Sequence, residues 1–352
     1  MATTNLSDIH SDLIQTHILP LLDGPSLSST ATASSYLKTL CANDILWSHI
    51  CTATWPSITG DPRLHDIIST FPAGHRSFFQ DSFPALVITT AAGVTHHTQS
   101  HHLSSHQYPS QIISAVDLHY QKDIVYSKSN FTDTTDAFLS SELRIRLNPE
   151  SKPETINLKL VGEVDEATLM SHLQESMNLN WIVIDPTHKR AGNISSIKPV
   201  NVRRGWMNDD IHLLYATVLP GCDESNKVVQ CRIEVVMGVD TGSKGLKVKE
   251  VMVELIDMDF CLLKGREFLV IIQGALLGEN NVRRKMVDDV ESRSMYREFK
   301  RMSVNSLFHL QSEKQKDMDV DMVRPWPWHC FLQKLFRSCV MLVVVFLLMY
   351  SR

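Results

Sequence analysis

The sequence lacks the marks of a secreted, disulfide-held or nucleic-acid-binding protein. Its seven cysteines are odd in number and none forms a Cys-x-x-Cys pair. Neither a disulfide framework nor a paired zinc-ligand set is legible, and reduced thiols in a cytoplasmic or nuclear compartment are expected. Residues 1–17 have no basic n-region and no continuous apolar core of the kind a signal peptide needs. The sequons at Asn5, Asn130 and Asn193 are therefore expected to go unused. Basic charge is scarce where a DNA-binding helical module would need it. Lys38 is the sole Lys or Arg in the first 60 residues, against Asp8, Asp12, Asp23 and Asp44, and the whole chain carries −5. No repeat period is visible. No Gly-x-Ser-x-Gly, His-Glu-x-x-His or EF-hand-type loop occurs, so no catalytic residue, metal site or cofactor is nominated. Cys231 and Cys261 sit in apolar runs and are expected to be buried, inert thiols. The histidines between His96 and His106 lie among Ser, Thr and Gln, which suits a polar loop better than a metal site.

What the first 55 residues do hold is leucine and isoleucine at helical spacing. Leu13, Ile14, His17, Ile18, Leu21 and Leu22 form one stripe of a helix that Asp12 can open. Pro20 lies inside this pattern. Its ring clashes with the carbonyl four residues back, so the helix has to kink or end near Leu19. Asp23, Gly24 and Pro25 make a turn that starts a second helix, with proline at the first helical position. Leu27 anchors that small-residue helix. Tyr36, Leu37 and Leu40 give a third apolar face. Asn43 is a suitable N-cap for a fourth segment, in which Leu46, Trp47 and Ile50 pack and which Trp55 and Pro56 close.

Taken in order, these residues resemble an F-box. The pattern is carried by Asp12, Leu13 and Ile14, by Ile18, Leu19 and Leu22, by Leu27, by Leu37 to Leu40, and by Leu46 and Trp47. Ile9 and His10 stand where the family has Leu-Pro. The context around Trp55, Pro56 and Ser57, and from Phe79 to Phe83, is similar to a group of plant F-box proteins whose C-terminal domain is neither leucine-rich nor kelch. The resemblance implies a non-catalytic substrate receptor of an SCF-type ubiquitin ligase. Its N-terminal helices would bind a Skp-type adaptor, and through it a cullin, while the rest recruits a protein whose identity the sequence does not carry. The docking residues implied are Ile9, Leu13, Ile14, Ile18, Leu19, Leu22, Leu27, Leu37, Leu40 and Trp47. A module this small cannot bury its whole apolar stripe. The remainder suits a helix-in-groove partner surface. An alternative from another class is a membrane-associated, non-enzymatic binding module with the helices as a structural cap.

Beyond residue 110 the period changes to two. Residues 112–118, 123–126, 143–147, 156–160, 181–184, 212–218, 231–236 and 246–255 alternate apolar and polar, as antiparallel strands with one wet face do. Gly242 and Gly245 bracket a hairpin turn. Helices are expected over 166–178, 265–277 and 286–311. The last carries Arg293, Arg297, Lys300 and Arg301, a solvated face or else a nuclear-import or acidic-partner patch. Cys339 to Tyr350 is an apolar run of twelve residues, short of the roughly 20 that a span needs. It reads as a helix folded back on the β-region, a short membrane-contacting tail anchor, or a dispensable tail. The expected fold class is α+β: an all-α F-box module over 1–58, a connecting helix and polar loop over 59–110, and a mainly antiparallel β-rich recognition domain over 111–280. An amphipathic helix over 281–315 and a linker with the hydrophobic tail over 316–352 complete it.

Overall fold

The computed structural model describes residues 10–88, 108–149, 155–156, 165–205, 208–222, 228–240, 245–278, 282–286 and 288–318. The chain divides into two compact units, Met1–Val304 and Asn305–Arg352. The first opens with a helix of changing pitch: α1 (Ser11–Leu13), a π turn (Ile14–Ile18) and a 3-10 turn (Leu19–Leu21). Then come α2 (Gly24–Ala33), α3 (Ser35–Leu40), α4 (Asp44–Thr54), a 3-10 turn (Pro56–Thr59), α5 (Pro62–Ser69) and α6 (Gly74–Ser82). The helix starts are fixed by side chains that take otherwise orphaned N–H groups: Asp23, Ser34, Asn43 and Asp61 cap α2, α3, α4 and α5. The opening helix differs from expectation, since His10 and not Asp12 occupies its N-cap.

The strands are β1 (Ala85–Ile88), β2 (Gln111–Tyr120), β3 (Asp123–Asp133), β4 (Arg144–Leu147), β5 (Thr155–Ile156), β6 (Met177–Asp185), β7 (Arg190–Asn193), β8 (Asn201–Arg204), β9 (Ile211–Pro220), β10 (Val228–Asp240), β11 (Gly245–Ile256) and β12 (Val282–Lys285). Between them lie α7 (Asp136–Ser140), α8 (Glu166–Ser176) and α9 (Gly265–Leu277), and after them α10 (Asp289–Met318). The first sheet has the order β12-β1-β7-β6-β2-β3. The second runs β4-β11-β10-β9-β8, with β5 also on β11. All pairs are antiparallel except β1 with β7. The α+β expectation therefore holds. Asp240 pairs with Gly245, so the chain does reverse at the expected hairpin, whose tip lies outside the described residues.

Alternation along β2 and β6 sorts side chains into two cores. Val116, Leu118, Leu179, Trp181 and Val183 face the second sheet and share a cluster with Leu213, Tyr215, Ile233 and Val253. Ile113, Ala115, Ile182 and Ile184 point the other way, into a cluster with Leu27, Trp47, Trp55, Leu64, Phe78 and Phe79 of the helices. The expectation of one wet face is thus overturned for the first sheet, because the N-terminal helices cover it. The helical core also runs past the boundary expected at 58, through α5 and α6.

Smaller differences have local causes. The last helix starts at Asp289, not 286, where Asp288 Oδ1 accepts the N–H of Glu291 at 2.6 Å. Helix α8 ends at Ser176 because Met177 already belongs to β6. Cys231 is buried as expected, its thiol pushed up to about 12 by burial. Cys261 is not: the Asp257 carboxylate accepts the N–H groups of Asp259 and Cys261 and turns that segment outward. The histidine-rich stretch and the Cys339–Tyr350 run lie outside the described residues.

Candidate functional site

The candidate site is built on the first three turns and on α4. Regular α geometry cannot pass Pro20, which lacks an N–H. The chain answers by widening to a π turn, where Leu19 N–H reaches Ile14 O, and then tightening to a 3-10 turn with Pro20 in its first positions. A π turn takes more residues per revolution than an α turn. Leu13 and Ile18, five apart, both end on the solvent side, while Ile14 and Leu19 turn inward. Exposure separates the two sets cleanly: Leu21 is 83%, Leu13 53% and Ile18 45% exposed, against 2% for Ile14 and 1% for Leu19. On α4, Ile45 is 65% exposed while its neighbours Leu46 and Trp47 are buried.

These exposed side chains stand on a rigid base. Trp47 Nε1–H donates to Cys41 O at 2.7 Å, and its ring lies 5.3 Å from that of Phe79. Phe79 also occupies the space that a Cβ on Gly24 would need, so α2 starts with its backbone against that ring. The Asp44 carboxylate, beside Ile45, accepts the N–H of His75 at 2.7 Å and pairs with its Nδ1 at 2.9 Å. Gly74 makes this approach possible, with φ at +55° and no Cβ in the way of that carboxylate. Between the 3-10 turn and α4 lies a groove of about 320 Å³, lined by Leu19, Pro20, Leu22, Leu46, His49 and Ile50 among others. Leu21 and Ile45 are the immediate chain neighbours of lining residues.

The expected docking residues therefore divide. Leu13 and Ile18 are exposed, and Leu22 is half-buried in the groove. Ile14, Leu19, Leu27, Leu37, Leu40 and Trp47 are buried in the module's own core and hold the surface up, and of these Leu19 also lines the groove. Ile9 lies outside the described residues. Leu21 and Ile45, the two most exposed aliphatic residues of the module, were not in the expected set. The signal that could have found Leu21 is Pro20, whose break in the helix rotates the residues after it.

No family model matches the chain, and no solved structure matches it. Three Arabidopsis thaliana proteins do. F-box protein At2g27310 is 42% identical over 310 residues, covering 85% of this chain and 87% of its own length. F-box protein At3g44326 is 32% identical over 84% of this chain and 82% of its own. Probable F-box protein At2g36090 is 36% identical over 88% and 89%. The chain belongs to the plant F-box proteins. Each alignment spans far more than an F-box, so the likeness extends well into the β-region.

The F-box is joined to that region by a buried clamp. Asp117 of β2 is fully buried. Its carboxylate accepts the backbone N–H of Ser57 at 2.9 Å, the Ser57 hydroxyl at 2.5 Å and the Ser127 hydroxyl at 2.7 Å. Ser57 sits just past α4, so the clamp ties the end of the F-box to the first sheet. Burial pushes the Asp117 carboxyl up to about 6, although the hydrogen bonds from Ser57 and Ser127 oppose it. Nearby, the Arg63 guanidinium of α5 lies 4.1 Å over the Phe131 ring of β3. Among the described residues no group of three or more His, Cys, Asp or Glu is placed to hold a metal ion, and no helix is long and apolar enough to cross a membrane.

Proposed function

We propose that this F-box protein is a substrate receptor of an SCF-type ubiquitin ligase. Its docking rim for the Skp-type adaptor is Leu13, Ile18, Leu21 and Ile45, with the groove at Leu22 between the 3-10 turn and α4. Through the adaptor it joins a cullin, and the β-region brings a protein to be ubiquitinated. Bond-making chemistry belongs to the partner subunits. The observation that carries this reading is the set of four bare aliphatic side chains on a module whose other large apolar residues are buried or half-buried. Bare aliphatic residues grouped on one small module mark a partner surface. The rim is preorganised, since every residue under it sits in a packed core, and little ordering is required on binding.

Co-purification with a Skp-type adaptor tests it. The variant Leu21→Glu/Ile45→Glu places two charges in the proposed contact and is expected to cut recovery about tenfold or more. Its urea midpoint should stay near that of the wild type, because both positions are exposed. Wild-type recovery from a folded double variant would remove the rim from consideration.

A further inference from the structure

Helix α10 has two unlike sides. One is seated: Ser292, Phe299 and Ser303 are buried, and Phe299 and Met295 cluster with Val218 and Ile256 of the second sheet. The other faces solvent. There Val290, the half-buried Arg293, Arg297, Lys300 and Val304 follow at alternating spacings of three and four, the heptad rhythm of a helix–helix seam. The stripe is about 20 Å long at 1.5 Å per residue, and Arg301 flanks it. Val290 is 71% and Val304 38% exposed. Arg301 is held by Glu298, and Arg293 Nε–H donates to the Asp289 carbonyl. Arg297 and Lys300 have no carboxylate partner among the described residues.

We propose that this face of α10 docks an acidic amphipathic helix of a partner protein, whose carboxylates meet Arg297 and Lys300 and whose aliphatic side chains meet Val290 and Val304. Charge complementarity selects the partner: Arg297 and Lys300 are exposed cations without a carboxylate partner among the described residues, on a chain that carries −5 overall. Seam spacing selects a helix, since aliphatic residues at both ends of a cationic middle match a partner with the reciprocal pattern. The stripe is also preformed, because its reverse side is anchored on the sheet, so binding does not have to order it. A membrane surface fits less well. Two valines about 20 Å apart make no interfacial apolar face. Nucleic acid fits less well too, since four cations on an acidic protein give few phosphate contacts.

Fluorescence anisotropy on the full chain tests this. The probe is a labelled 21-residue helical peptide with glutamates at its central seam positions and leucines at its ends. Binding is expected to weaken about tenfold or more in Arg297→Glu/Lys300→Glu and to weaken as salt rises. A charge-swapped peptide with central lysines should recover binding to that variant. Leu21→Glu/Ile45→Glu should bind the acidic peptide as the wild type does, which keeps this inference separate from the adaptor rim. The proposal is overturned by equal binding of peptide to wild type and Arg297→Glu/Lys300→Glu, by no recovery with the swapped peptide, or by tighter binding to phosphatidylserine vesicles or duplex DNA than to the peptide.

Discussion

The two sheets are made of similar strands yet live in different surroundings. In the first, β2 and β6 are enclosed on both faces, by the F-box helices on one side and the second sheet on the other. In the second, the outward face carries ion pairs: Arg144 with Glu254 at 2.8 Å, Arg146 with Glu250 at 3.2 Å, and Glu234 among His212, Arg203 and Arg232. The difference teaches where the F-box gets its rigidity. It is not a bead on a linker, since one apolar core runs from Leu27 to Ile184. A matched pair of truncations sharpens this most. Ile182→Ala, under the helices, is expected to cost about 2–5 kcal/mol. Met252→Ala, outward on the second sheet and half-buried, should cost less than about 1 kcal/mol. Urea unfolding of both variants checks the contrast, and equal losses would mean that the helices do not seal the first sheet.

The clamp at Asp117 is the next test. Asp117→Ala leaves the buried Ser57 N–H and the two hydroxyls without their acceptor, at a cost of about 1–3 kcal/mol. Asp117→Asn keeps an acceptor oxygen and should lose less. The pH dependence runs opposite to that of most carboxylates. The folded value, about 6, lies above an unfolded value near 4. The folded state therefore holds the proton more tightly. This contribution is fully present below about pH 4 and is lost as pH rises through 6, to a total of about 3 kcal/mol. The wild-type stability minus that of Asp117→Asn should accordingly fall between pH 4 and 6. A flat difference would show that the carboxyl is better solvated than its burial indicates.

Much of this architecture was legible in the sequence, and the gaps have physical reasons. Helix α9 matched its expected bounds because periodicity and the capping Glu267 agree, and β2, β9, β10 and β11 were found by alternation. Strands β1, β7, β8 and β12 were missed because Ala-Leu-Val-Ile, Arg-Ala-Gly-Asn, Asn-Val-Arg-Arg and Val-Arg-Arg-Lys do not alternate, whereas the equally short Arg-Ile-Arg-Leu of β4 does. The site was half legible. Apolar spacing placed the module but could not divide its leucines into inner and outer sets, because a π turn followed by a 3-10 turn changes the angle per residue. Only the fold shows Leu19 turning in and Leu21 turning out. The Asp117 clamp was invisible, since its members lie 60 residues apart.

The finest distinction between the sheets is the direction in which a carboxylate of each is shifted, Asp117 in the first and Glu234 in the second. Burial pushes Glu234 up, but Arg232, His212 and Arg203 together pull it below the ordinary glutamate value. It is the reverse of Asp117, whose donors are neutral. A lowered folded value means stability that is present above the unfolded value, about 4.3, and lost as pH falls through the folded one. Glu234 is partly open to solvent, so screening holds its contribution below about 1 kcal/mol. Wild-type stability minus that of Glu234→Gln should thus rise with pH up to about the unfolded value near 4.3, close to where the Asp117 difference begins to fall. The two slopes, measured on the same chain by urea titration, should be opposite in sign. Slopes of the same sign would show that the cations around Glu234 do not outweigh its burial, and that the outer face of the second sheet is costlier than its ion pairs make it look.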